Sequence, residues 1–213
     1  MNVVICSAGK ASRYKTPILT KGLIQLNGEN ILQRQIRLLK KNGLTDITVL
    51  VPPHFPTENY NVKFKVYDVP DDTEETWTLN QCLDVINETF VLLGDVVFTE
   101  NTLKEILNAK FENVLFIVGE RYVSRWKREN ANEKLKPVEY KYDESYGVLT
   151  KNNGDKTIKK IISNMKVYSR RQGLSWIRNR YSLKQFYPNG FIMDLDKVEQ
   201  LKKIKQTLKE EYK

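Results

Sequence analysis

Residues 2–28 read NVVICSAGKASRYKTPILTKGLIQLNG, and the opening of this stretch decides the fold. Val3 to Cys6 form a short, continuous apolar run that leads straight into a polar turn, the pattern of a fully buried strand. The turn SAGKASRYKT holds a glycine. A strand that ends in such a turn presents consecutive backbone N–H groups, which together make a concave site for an anion. Arg13 and Lys21 are placed to neutralise phosphate oxygens there, Arg13 by a forked contact and Lys21 as a point charge. The turn is not a Walker A loop, because no glycine precedes a Lys-Ser/Thr pair at the required spacing. Gly9 alone does not make a GxGxxG fingerprint. On this segment by itself, an ordinary strand-to-helix turn with surface lysines is the simpler reading.

Working outward, ILQRQIRLLKKNG (31–43) places apolar residues at Ile31, Leu32, Ile36, Leu38 and Leu39, close to helical spacing, and Gly43 is expected to close the helix. ITVLVPP (47–53) predicts a second apolar strand ended by its prolines, and VKFKVYDV (62–69) a third. TWTLNQCLDVI (76–86) suits a helix. FVLLGDVVF (90–98) reads as a buried strand ending at an aspartate, residues 101–109 as a helix and VLFIVG (114–119) as another strand. Strands alternating with helices at this interval imply a three-layer α/β/α domain with a mostly parallel, Rossmann-like sheet. A polar, basic and aromatic stretch breaks the pattern from 120 to 145, and SYGVLTKNNGDKTIKKII (145–162) reads as a β-hairpin turning at NNGD. No repeat or linker divides residues 1–213, so one domain is expected, with an insertion over roughly 120–185.

Of 213 residues, 40% are hydrophobic and 29% charged, the balance of a soluble globular protein. No apolar run approaches the ~20 residues of a membrane span, and the N-terminus lacks a basic flank with a long apolar core. A cytoplasmic protein is expected. Cys6 and Cys82, both in apolar contexts, read as reduced core residues. The single histidine, His54, leaves no room for a histidine-rich zinc cluster. Lys and Arg exceed Asp and Glu by 35 to 26, an excess that suits anionic partners such as nucleotides, sugar phosphates or nucleic acid.

Two further segments offer carboxylates. In an open parallel sheet, ligands sit beyond the carboxyl ends of the strands. Asp95, in the apolar run 90–98, is therefore placed to hold a metal near a phosphate. Mg²⁺ takes one or two protein carboxylates plus water and phosphate oxygens, so Asp95 alone is an incomplete site. Asp194 and Asp196 alternate along GFIMDLD and face one side of an extended segment. Asp196 precedes the terminal helix, where capping is the simpler role.

In this order, the segments resemble the GT-A-like NTP transferases, the superfamily of sugar nucleotidyltransferases and phosphocholine cytidylyltransferase-like enzymes. That family opens with a strand and an AAGxGxR-type loop, then a lysine usually preceded by proline, then a phrase of the form GKPLLERxIxxLKxxG. Here SAGKASR, Thr20-Lys21 and NGENILQRQIRLLKKNG occupy those places. LLGDVVF is similar to the family's strand with its metal aspartate, YGVLTKNNGDKTIKKI to its hairpin, and MDLDKVEQLKKIKQTLKE to its closing segment. This chain departs from the pattern at three points. Ala11 replaces the loop's second glycine, Thr20 the proline, and IISN a Glu-Lys pair that contacts sugar in many members.

The resemblance implies transfer of a nucleoside monophosphate from an NTP, with CTP favoured, to a phosphorylated small molecule such as a sugar phosphate or phosphocholine, with Mg²⁺. Arg13 and Lys21 would be catalytic, and Ala8, Gly9 and Lys10 would line the phosphate path by their N–H groups. Thr76 and Thr78 would approach the base, and Asp95 and Asp196 would hold the metal. Trp126, Tyr140, Tyr142, Tyr146 and Trp176 either pack the insertion against the sheet or cage a quaternary ammonium; packing is the simpler reading. A GT-A glycosyltransferase shares the fold but carries a DxD-like carboxylate pair where GDVV has one. A catalytically silent protein that binds nucleotide or nucleic acid through the basic aromatic stretches is the other alternative. Membrane insertion is not expected, and a homo-oligomer remains compatible.

Overall fold

A computed structural model describes residues 1–8, 20–68, 88–127, 136–163, 174–195 and 198–211. Of these, 120–127, 136–141 and positions 162, 163, 176, 198, 199, 210 and 211 are described by their backbone alone.

The apolar run at the N-terminus forms β1 (Asn2–Cys6), an interior strand of the main sheet. Two short strands, β2 (Gln25–Leu26) and β3 (Glu29–Asn30), form a small turn before helix α1 (Ile31–Lys41). The helix starts where it does because Asn30 caps it. The Asn30 Oδ1 accepts from the Gln33 N–H at 2.8 Å, and the Asn30 N–H donates to Gln33 Oε1 at 2.9 Å, a reciprocal capping box. Gly43, at φ 82°, closes it as expected.

The chain continues through β4 (Ile47–Val51), β5 (Lys63–Val66), β6 (Thr89–Leu93) and β7 (Val96–Phe98), then helix α2 (Glu100–Asn108). Strands β8 (Val114–Lys127) and β9 (Lys136–Thr150) follow, then helices α3 (Gly154–Ser163) and α4 (Leu174–Arg180). Strands β10 (Gln185–Phe186) and β11 (Ile192–Asp194) and helix α5 (Val198–Glu211) complete it.

The main sheet has seven strands in the order β10-β8-β9-β6-β1-β4-β5. Its pairings are parallel except for β9, which runs antiparallel to both neighbours. The expected mostly parallel α/β sheet is therefore present. After β1 the chain moves to β4 and β5 on one side, then returns to β6 on the other. This reversal creates a crevice at the carboxyl ends of β1 and β6.

Both faces of β1 are buried. Val3 and Ile5 join the main core with Leu32, Ile36 and Leu39 of α1, whereas Val4 packs with Ala8 and Leu50 in a separate cluster. The helix expected over 76–86 lies outside the described residues, as does Cys82. Cys6 is half-buried and packs against the main core. A third cluster joins Val97 and Leu195 to Ile204 and Leu208 of the terminal helix. Helices α1 and α2 are also tied at the surface by Glu100, whose carboxyl sits at about 2 because Lys41 and Lys104 donate to it.

Two expectations need correction. In the run 90–98, β6 ends just before the Gly94–Asp95 turn, as expected of a strand ending at the aspartate, but VVF beyond it forms a second strand, β7, which pairs antiparallel with β11 in a separate two-stranded sheet. The hairpin expected over 145–162 is a strand followed by a helix. Its second half holds Ile158 and Ile161 in the core, three residues apart, which is helical rather than alternating spacing. Asn152 and Asn153 make the turn with positive φ, and Gly154 starts the helix so close to Asn113 that a Cβ would lie 2.0 Å from its carbonyl oxygen. The β-hairpin of the insertion is instead β8–β9, paired from Val114–Thr150 out to Lys127–Lys136, with a bulge between Ile117 and Val118. No helix among the described residues is long and apolar enough to cross a membrane.

Candidate active site

Three segments converge at the carboxyl end of β1. The first is the end of β1 itself. The Ser7 N–H donates to the Leu50 carbonyl at 2.9 Å, and Ser7 and Ala8 are buried. The second is a single 3₁₀ turn, Lys21–Leu23, capped by Thr20. The Thr20 hydroxyl is buried, lies 3.2 Å from the Ser7 hydroxyl and accepts from the Gly22 N–H at 3.4 Å. The third is the Gly94–Asp95 turn between β6 and β7, whose Gly94 N–H donates to the Cys6 carbonyl at 2.9 Å.

Two glycines let these segments close on Ser7. A Cβ at Gly22 would meet Ser7 Oγ at 2.6 Å, and one at Gly94 would meet Ser7 Cβ at 2.7 Å and the Cys6 carbonyl oxygen at 2.8 Å. The approach delivers Lys21 to Asp95: Lys21 Nζ donates to Asp95 Oδ2 at 2.7 Å across 74 residues of sequence. The side chains are 15% and 23% exposed, so the pair borders solvent while remaining partly desolvated.

The small sheet brings the closing segment to the same place. Asp194 pairs with Val96, and the Leu195 N–H donates to the Asp95 carbonyl at 2.9 Å. Asp194, buried, is thus beside the turn. Of the residues singled out from sequence, Ala8, Lys21 and Asp95 meet at this crevice. Gly9, Lys10, Arg13, Thr76, Thr78 and Asp196 lie outside the described residues.

The base of the β8–β9 hairpin stands on the same side, because Gly147 of β9 is registered with Leu92 of β6. Tyr146 is fully buried against Gly119, in agreement with a packing role. Nearby, the Tyr187 hydroxyl lies 2.9 Å from Asp143 Oδ2 and 2.8 Å from Gln185 Oε1. Burial, and then the Asp143 carboxylate, push that phenol above its usual range.

Two contributors were missed from sequence. Gln35 in α1 is buried and donates both amide hydrogens to the turn, to the Leu93 carbonyl at 2.9 Å and the Val96 carbonyl at 2.7 Å. The available signal was a polar residue on an otherwise apolar helix face, next to Ile36. Thr20 was noted only as a replacement for proline. Its φ of −149° is far from the roughly −65° that a pyrrolidine ring imposes, so the backbone here is built for a non-proline residue. Thr20→Pro is expected to be destabilising by about 3 kcal/mol, through strain and loss of the hydroxyl. Thr20→Val, which keeps the shape and removes only the hydroxyl, should cost about 1–2 kcal/mol. Urea unfolding of the two variants checks both the order and the sizes.

With this geometry in view, the chain can be set beside known proteins. The family model described as the MobA-like NTP transferase domain matches residues 3–168. Among curated proteins none matches. Solved structures of the same fold include a glucose-1-phosphate thymidylyltransferase, described as putative in its own record, from Bacillus anthracis. It is 16% identical at a TM-score of 0.70, covering 97% of this chain and 94% of that one. The CTP:phosphocholine cytidylyltransferase of Streptococcus pneumoniae is 18% identical at a TM-score of 0.69, covering 97% and 98%. The inositol-1-phosphate CTP transferase of T. maritima is 14% identical at a TM-score of 0.68, covering 98% and 96%.

Proposed function

The chain belongs to the MobA-like NTP transferase family, and from that premise we propose that it transfers a nucleoside monophosphate from an NTP, CTP by preference, to a phosphorylated small molecule, with Mg²⁺ and release of pyrophosphate. The observation that carries this reading is the Lys21–Asp95 contact, 2.7 Å long, at the point of the sheet where such a ligand would sit. The preference for CTP and for a small phosphorylated acceptor draws on the fold shared with the phosphocholine and inositol-phosphate enzymes.

In the reaction, an oxygen of the acceptor phosphate attacks the α-phosphorus of the NTP. One P–O bond forms, the bond to the bridging oxygen of the β-phosphate breaks, and its electron pair leaves with pyrophosphate. The nucleophile is already anionic, so the protein's task is alignment and charge neutralisation rather than proton removal. Lys21 would place its ammonium on the α-phosphate or the entering acceptor, and Arg13 would hold the β- and γ-phosphates. The N–H groups of Ala8, Gly9 and Lys10 would line the phosphate path, and Thr76 and Thr78 would approach the base.

The donor set suits a hard cation. Asp95 offers a hard carboxylate oxygen on a turn held by backbone hydrogen bonds, and Mg²⁺ prefers a small number of carboxylates completed by phosphate and water. Asp95 and Asp196 would hold it, and when bound it supplies positive charge to the phosphate oxygens. Lys21 would then exchange part of its contact with Asp95 for one with phosphate.

The test is a matrix of four NTPs against phosphocholine, inositol-1-phosphate and hexose-1-phosphates, scored by pyrophosphate release with Mg²⁺ and with EDTA. Metal-dependent release with CTP and at least one acceptor is expected. Absence of release in every combination, or release indifferent to EDTA, rejects the reading.

A further inference from the structure

We propose that Gln35 is a positioning residue of this site, holding the Gly94–Asp95 turn so that Asp95 stays within reach of Lys21; the role in transfer rests on the nucleotidyltransferase reading above. A primary amide buried on the core face of a helix is costly unless its hydrogens are used. Here both are used, and on one target. The single Nε2 donates to Leu93 at 2.9 Å and to Val96 at 2.7 Å, the residues on either side of Gly94–Asp95. Two carbonyls three positions apart are thereby fixed to one atom of α1.

The remaining ties on the turn come from elsewhere. Cys6 of β1 receives the Gly94 N–H, and Leu195 beyond β11 gives its N–H to Asp95. The neighbouring Arg34, also buried, donates to the Phe98 carbonyl at 3.1 Å at the far end of β7. Helix α1 therefore grips the β6–β7 segment at three carbonyls, 93, 96 and 98. Its position is itself fixed by the Asn30 capping box and by Leu32, Ile36 and Leu39 in the core. An apolar side chain would fill the space of Gln35 as well, but only a two-hydrogen donor satisfies both strand-end carbonyls. The amide thus specifies the shape of the turn, whereas its neighbours supply packing.

Gln35→Met preserves volume and removes both donors. In the full-length protein, amide hydrogen exchange at Gly94 and Leu195 is expected to accelerate at least 10-fold while exchange at Val91 in β6 stays as in the wild type. This readout needs no turnover. In catalysis, kcat should fall by 10-fold or more, with an increased Mg²⁺ requirement. The fall should shrink to less than 2-fold when the same change is made in an Asp95→Ala background, as expected when one residue acts through another. Ile36→Val serves as the control for general destabilisation and should leave kcat within 2-fold.

Unchanged exchange at Gly94 and Leu195 in Gln35→Met, or uniform acceleration across β6, overturns the proposal, as does an equal loss of kcat in both backgrounds. Failure of the wild-type protein to release pyrophosphate would sink the transferase reading alone, since the exchange experiment still decides whether Gln35 holds the turn.

Discussion

Lys21→Ala should lower kcat by about 10²–10³-fold, the usual consequence of deleting one preorganised cation or donor from a site where negative charge develops. The expected cost in stability is moderate. Lys21 and Asp95 are 15% and 23% exposed, so the pair is mostly buried yet still reached by water, and about 1–2 kcal/mol should be lost, more than for a fully exposed pair. Lys21→Arg should not rescue turnover, because a planar fork replaces a compact ammonium on a turn whose Gly22 leaves no slack against Ser7. Asp95→Asn keeps the side chain's size and removes its charge. Its kcat should fall at least as far, with the requirement for added Mg²⁺ rising steeply. Steady-state kinetics across a metal titration, with urea unfolding on the same samples, separates the two effects. Wild-type rates in either alanine or asparagine variant would dismiss these two residues from the chemistry.

Gly94→Ala is the second large effect, and it should strike stability and turnover together. The added methyl would stand 2.7–2.8 Å from Ser7 Cβ, Ser7 Cα and the Cys6 carbonyl oxygen. Two of these three atoms belong to the backbone of β1 or its first turn residue and cannot rotate away. Overpacking of this kind typically costs about 1–3 kcal/mol, and relief requires the Gly94–Asp95 turn to move outward, which carries Asp95 away from Lys21. Gly154→Ala provides the contrast. Its methyl would lie 2.0 Å from the Asn113 carbonyl oxygen, at the opposite end of β9 from the crevice, so it should be at least as destabilising with kcat unchanged in the folded fraction. Thermal unfolding and kcat measured well below the transition distinguish the pair. Equal kcat in Gly94→Ala and wild type would show that the turn tolerates displacement.

Much of this was legible in the chain because the signals were local. Val3–Cys6 is an uninterrupted apolar run, α1 repeats at helical spacing with its cap and closing glycine in place, and Lys21 and Asp95 stand in recognisable phrases. What could not be read were features that depend on a partner distant in sequence. The end of β6 just before Asp95 was legible, but the second strand beyond it was not, because its pairing partner β11 lies far downstream. The NNGD turn has hairpin chemistry, but the buried isoleucines after it obey a different period, and tertiary burial decided for the helix. Gln35 looks like any polar helix residue until the carbonyls of Leu93 and Val96 are seen above it. Thr20 became interpretable once Ser7 was found across from its hydroxyl. Arg13, Thr76, Thr78 and Asp196 remain expectations, since their positions fall outside the described residues.

The arrangement around β1 also has a bearing on how the chain acquires its shape. Val3 must find Ile47, and Asn2 must find Thr89, before β1 is flanked on both sides. Such non-local parallel pairings are slow to form, since loop closure precedes any reward. During synthesis the lysine emerges long before the carboxylate that meets it, and Leu195 later still. Until β6 emerges, β1 can be paired by β4 on one edge only and no crevice exists, and an unpaired strand edge of this kind is a site of aggregation.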